Sequence, residues 1–95
     1  MNRIFAVVVT YKRQNLLKKL LDSLQSCANE LCGVVIVDNE NSRTTYSLIL
    51  DFQKNIKLIN SDFNVEYCPQ VNNSGGSGGF SKGIARAYML GAEWV

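Results

Sequence analysis

The 95 residues, 46% of them hydrophobic, are enough for one small domain with a single core. Ten basic and eight acidic side chains leave a net charge of +2, too little for a nucleic-acid-binding surface, and no run reaches the about 18 apolar residues of a membrane span. With three cysteines outside any C-x-x-C pair and no histidine, the usual zinc sets and every imidazole-dependent nucleophile are excluded.

Ile4 to Thr10 is a continuous β-branched, apolar run, as expected of a strand buried on both faces of a parallel sheet. It follows the start too closely to be a signal segment, so the chain reads as cytoplasmic. Leu16, Leu17, Leu20, Leu21 and Leu24 then repeat at helical spacing, with Lys18, Lys19, Asp22 and Ser23 between them. Val34 to Val37 supplies a second strand, ended by Asp38 and Asn39, which completes a right-handed βαβ unit. Residues around Tyr46 to Gln53 suit a crossover helix, and Ile56 to Ile59 is expected to pair as the third parallel strand. From Asn60 to Asn73 the chain is polar and irregular, apart from Val65 to Val71, where Pro69 implies an edge or a loop. The last helix is expected from near Gly79, with Phe80, Ile84, Ala87, Tyr88 and Leu90 on one stripe, before Ala92 to Val95 opens another strand. The fold class is therefore α/β: a parallel sheet of order 3-2-1 flanked by helices.

In such sheets ligands gather where the carboxyl ends of strands meet helix amino ends. Thr10, Tyr11, Arg13, Asp38 and Asn39 fall there. Asp38 is either a turn aspartate or an acceptor for the N3–H of uracil or thymine, a bond that contributes about 1.5–3 kcal/mol. Tyr11 either caps the core or stacks on a base. Arg13 offers a planar fork suited to phosphate oxygens, although a solvated arginine is the commoner case. The stretch Ser74-Gly75-Gly76-Ser77-Gly78-Gly79 has a linker-like composition, but it precedes a helix and could present bare N–H groups to a diphosphate. It fits neither the G-x-G-x-x-G nor the G-K-[ST] fingerprint, and it follows the third strand rather than the first.

The combination V-V-V-T-Y-K-R at Val7 to Arg13, V-I-V-D-N at Val35 to Asn39 and N-N-S-G-G-S-G-G-F-S-K-G at Asn72 to Gly83 resembles the inverting family 2 glycosyltransferases. The glycine stretch looks most like their galactofuranosyl- and rhamnosyltransferase branch. The resemblance implies the N-terminal, truncated Rossmann-like part of a GT-A fold, with residues 1–95 forming the nucleotide-sugar-binding portion. It implies a UDP- or dTDP-sugar donor and a glycan or lipid-linked acceptor, as in polysaccharide biosynthesis, with the complete protein at the inner face of the membrane. By it Thr10, Tyr11, Arg13, Asp38 and Asn39 hold the nucleoside, while Asn73, Gly75, Gly76, Gly78 and Gly79 lie along the diphosphate and donor sugar. Lys12 stands where Asn is frequent, and the turn Asn39-Glu40-Asn41-Ser42 is one residue longer than usual. The family's Asp-x-Asp motif, which holds Mg²⁺ or Mn²⁺, would come after Glu93-Trp94-Val95. No metal site and no catalytic residue is therefore expected within these residues, and the chain alone is expected to be inactive. Its first strand would also present an open edge for self-association, through that strand or the Ala92 to Val95 tail. A non-enzymatic nucleotide-binding or interaction module is the alternative reading.

Overall fold

The computed structural model describes residues 3–70 and 75–95, with the backbone alone over 75–77. Six elements alternate: β1 (Phe5–Thr10), α1 (Gln14–Ser26), β2 (Gly33–Asp38), α2 (Arg43–Ile59), β3 (Asn64–Pro69) and α3 (Gly75–Met89). The strands are parallel in the order β1-β2-β3, which is the expected 3-2-1 order. Val34, Val35, Ile36 and Val37 have 0% exposure, because β2 is central and covered on both faces.

One face is filled by bulk. Leu17, Leu21 and Leu24 of α1 and Ile49, Phe52 and Ile56 of α2 join Val8, Val34, Ile36 and Phe63 in a single cluster. Leu16 and Leu20 are 55% and 41% exposed, at the border of this cluster beside Val8 and Leu17. The opposite face carries α3 and a smaller cluster of Phe5, Val35, Val37, Ala87 and Ala92. There the helix comes close because Gly79 and Gly83 bring no side chain. A Cβ on Gly79 would stand 2.9 Å from Val9 Cγ1, and one on Gly83 would overlap Val7 Cγ1.

The chain departs from the sequence expectation in three places. Ile56 to Ile59 is the last turn of α2 and not a strand. Thr45, Ile49, Phe52 and Ile56 are buried at helical spacing, whereas Leu58 is 87% exposed. The third strand is instead Asn64–Pro69. Pro69 is tolerated because Asn64 and Gln70 donate to β2, which puts the odd-numbered backbone groups on the outer edge, where a missing N–H breaks no ladder bond. Finally, α3 begins at Gly75, so the glycine stretch forms its first turns and is not a loop ahead of it.

The Ala92 to Val95 segment is engaged beside the start of β1. Ile4 and Trp94 form a parallel bridge, Phe5 N–H donates to the Trp94 carbonyl at 2.9 Å, and Arg3 Nε donates to the Gly91 carbonyl at 2.9 Å. This segment is therefore tied to the start of β1, while Trp94 and Val95 stay exposed. Further along, Ile4 and Thr10 carbonyls accept from the chain at the ends of β2, so Val7 and Val9 turn their backbone groups to the outer edge.

Candidate functional site

Because every crossing is parallel, α1, α2 and α3 all start at the carboxyl edge of the sheet. None has an acidic residue in its first turn, so three positive helix ends meet there without a neutralising side chain in those turns. The strand register brings Thr10, Asp38 and Pro69 into one row at this edge. Thr10 is 6% exposed and its carbonyl accepts from Asn39 N–H at 2.9 Å.

Asp38 is the hub of the edge. Its Oδ1 accepts from Glu40 N–H at 3.0 Å, and its Oδ2 accepts from Ser42 N–H at 3.0 Å and from the Tyr67 hydroxyl at 2.7 Å. Its carbonyl accepts from Gln70 N–H at 2.8 Å. One side chain thus ties the end of β2 to the start of α2, where Ser42 is the N-cap, and across to β3. Asn41 takes a left-handed φ of 56°, a conformation that asparagine tolerates, within the longer turn. With 0% exposure, Asp38 has the turn-building role in the free chain.

Tyr67 was not singled out from the sequence. It is one residue of an alternating stretch, and its partner lies 29 positions away. Burial, reinforced by its hydrogen bond to the Asp38 carboxylate, pushes its phenol above the ordinary tyrosine value, so the hydroxyl remains a donor. Its ring packs on that of Tyr46 at 5.3 Å, tilted by 35°. Together with Asn41, Ser42 and Arg43 the two rings line a hollow of about 230 Å³.

After β1, Tyr11 is 41% exposed, and Lys12 Nζ sits 5.2 Å from its ring centroid. Lys12 itself has a left-handed φ of 52°, a conformation that asparagine adopts more readily than lysine. Arg13 occupies the N-cap of α1 without a side-chain capping bond and lines a hollow of about 190 Å³ with Thr10, Leu16 and Leu20. Gly75, Gly76 and Gly78 lie in the first turns of α3, and the N–H groups of Gly75 and Gly76 fall among those that lack intrahelical acceptors. Gly79 is turned onto Val9 and Asn39 and acts in packing. Asn73 lies outside the described residues.

A hollow of about 420 Å³, lined by Arg3, Lys57 and Asp62 among others, lies at the opposite, amino edge, remote from the row of strand ends. Among the described residues no group of three or more Cys, Asp or Glu could hold a metal ion. No helix among them is long and apolar enough to cross a membrane.

Comparison with known proteins places this edge in context. The profile described as Glycosyl transferase family 2 matches residues 5–89. The chain is 32% identical over 92 residues to the galactofuranosyltransferase GlfT1 of Mycolicibacterium smegmatis, covering 97% of this chain and 28% of that protein. Galactofuranosyltransferase GlfT1 of Mycobacterium tuberculosis matches with the same identity and coverage. The chain therefore spans 28% of the length of these curated relatives. No solved structure matches it significantly.

Proposed function

The chain belongs to glycosyl transferase family 2, and from that premise we propose that its carboxyl edge receives the nucleoside diphosphate of a UDP- or dTDP-sugar. The observation that supports this is the meeting of three helix amino ends, none with an acidic first turn, around the row Thr10, Asp38 and Pro69. Tyr11 offers a ring for the base, Thr10 and Asn39 frame the nucleoside, and Arg13 stands by for phosphate oxygens. Gly75, Gly76 and Gly78, with Asn73, form the diphosphate side. Asp38 retains one acceptor position on Oδ1 for a base N–H. Because it is covered in the free chain, the base reaches Oδ1 as the cover over that oxygen shifts, while Ser42 N–H and the Tyr67 hydroxyl stay on Oδ2.

In the complete enzyme the donor serves transfer to a glycan or lipid-linked acceptor in polysaccharide assembly, at the cytoplasmic side. The relatives' name brings galactofuranosyl transfer into this proposal. A Mg²⁺ or Mn²⁺ ion on the diphosphate would take its ligands from outside the described residues. These 95 residues alone therefore bind but do not transfer. A second copy can pair along the outer edge of β1 at Val7 and Val9, and a sedimentation profile of pure monomer at high micromolar concentration would count against that pairing.

The test is a titration with UDP, dTDP, CDP and NAD followed by amide NMR. Millimolar binding, about 4 kcal/mol, is expected for the uracil and thymine nucleotides, with shifts at Tyr11, Glu40 and Asn41 that vanish in Asp38→Ala. Selective binding of NAD, or detectable sugar transfer by the chain alone, would overturn the respective parts of this reading.

A further inference from the structure

The two oxygens of Asp38 are not equivalent. A carboxylate has about four lone-pair positions, two on each oxygen. On Oδ2 both are filled, by Ser42 N–H and the Tyr67 hydroxyl, while among the described residues Oδ1 receives Glu40 N–H alone. The hydroxyl thus confines the remaining acceptor position to Oδ1.

We propose that Tyr67 is a positioning residue for base selection: its hydroxyl closes Oδ2 and leaves Asp38 a single acceptor position, on Oδ1, which selects a base presenting a ring N–H. This rests on the nucleotide site proposed above. Uracil and thymine present N3–H to such an acceptor, whereas cytosine presents a bare N3 beside an exocyclic N4–H₂ donor. With Oδ2 closed, the cytosine lone pair would face Oδ1 without a proton between them. Opening Oδ2 lets the carboxylate tilt and accept from the amino group instead, so discrimination is lost without any loss of the carboxylate.

Tyr67 can be tested without dismantling its surroundings. Its ring is held by the register against Ile36 and by Tyr46, and Tyr67→Phe preserves both contacts. Tyr46→Leu removes the ring contact and keeps the hydroxyl.

The experiment titrates the 95-residue chain and these two variants with UDP and CDP, followed by amide NMR. The UDP-to-CDP affinity ratio is expected to fall about tenfold in Tyr67→Phe, in keeping with the loss of a charge-assisted hydrogen bond. It is expected to hold in Tyr46→Leu. A purely structural role would weaken both nucleotides together and leave the ratio unmoved, which would overturn this inference and spare the donor site. An equal fall of the ratio in Tyr46→Leu would assign the effect to the ring and overturn it as well. If the unsubstituted chain shows no preference for UDP, the donor reading fails and this inference with it. Should Tyr67→Phe cost the fold, site-specific 3-fluorotyrosine at position 67, a stronger donor of similar shape, is expected to raise the ratio; an unchanged ratio there overturns the inference.

Discussion

On the face covered by α1 and α2, Val8, Val34 and Ile36 meet leucines, isoleucines and two phenylalanines, with Phe52 and Phe63 edge to face at 6.3 Å. On the other face Val7, Val9 and Val37 meet Gly79 and Gly83, and α3 adds Ala87 as its one fully buried side chain among the described residues. The first face stabilises through apolar area removed from water, about 25 cal/mol per Å². The second brings backbone within reach of the sheet, so that the amino end of α3 arrives beside Thr10 and Asn39. Its outer stripe of Phe80, Ile84 and Tyr88 stays 38–52% exposed. The comparison separates the part of the chain that holds the fold from the part that brings a helix amino end to the carboxyl edge of the sheet.

The contrast breaks most visibly on the bulky face. Phe63→Ala is expected to cost about 3–5 kcal/mol, much of the total stability of a domain this small. Chemical denaturation followed by circular dichroism checks it, and a loss below about 1 kcal/mol would place the core elsewhere. Gly83→Ala tests the close-packed face. The new methyl group meets Val7, at an overpacking cost of about 1–3 kcal/mol. Hydrogen exchange should quicken in α3 before it quickens in β2.

A thiol reports on the same docking. Cys68 packs on the α3 face, and burial first, then Glu66, push its thiol above the ordinary cysteine value, against the lowering influence of Arg86. A raised value means less thiolate at pH 8. Alkylation by iodoacetamide is therefore expected to be slower than in an unstructured peptide and to approach the peptide rate in Gly83→Ala.

The smallest effect is expected at Lys12, which belongs to neither face. Lys12→Asn relieves part of the left-handed backbone cost, about 1–2 kcal/mol, and forfeits a cation–π contact of about 0.5–1 kcal/mol. A net gain of a few tenths of a kcal/mol in thermal unfolding is the expected outcome, and a net loss would show that the Lys12–Tyr11 contact dominates.

Much of the architecture was legible because β1 and β2 are unbroken β-branched runs and because Leu17, Leu21 and Leu24 repeat at helical spacing. The third strand was misplaced for a physical reason. Ile56 to Ile59 is as apolar as a strand, and only the burial of Thr45, Ile49, Phe52 and Ile56 along one line shows that α2 continues through it. The true strand carries Glu66, which pairs with Arg86 of α3 at 2.9 Å, and a proline whose harmlessness depends on which edge its nitrogen faces. The helical start at Gly75 was hidden by glycine's poor helix propensity, while the need for Gly79 and Gly83 arises only once the sheet lies beneath them. Of the candidate residues, Thr10, Tyr11 and Asp38 could be named from their place after strands, which is where the structure sets them. The bond from Tyr67 to Asp38 could not, because it exists only through the register that sets β3 beside β2.

The clasp between Arg3 and residues 90–94 carries a practical consequence. It gathers both termini of the described fold at the amino edge of the sheet, about 20 Å from the carboxyl edge for a six-residue strand. Fluorophores or fused reporter domains at either end would stand clear of the carboxyl edge. Joining the termini with a short linker and reopening the chain elsewhere should give circular permutants whose sheet register is unchanged.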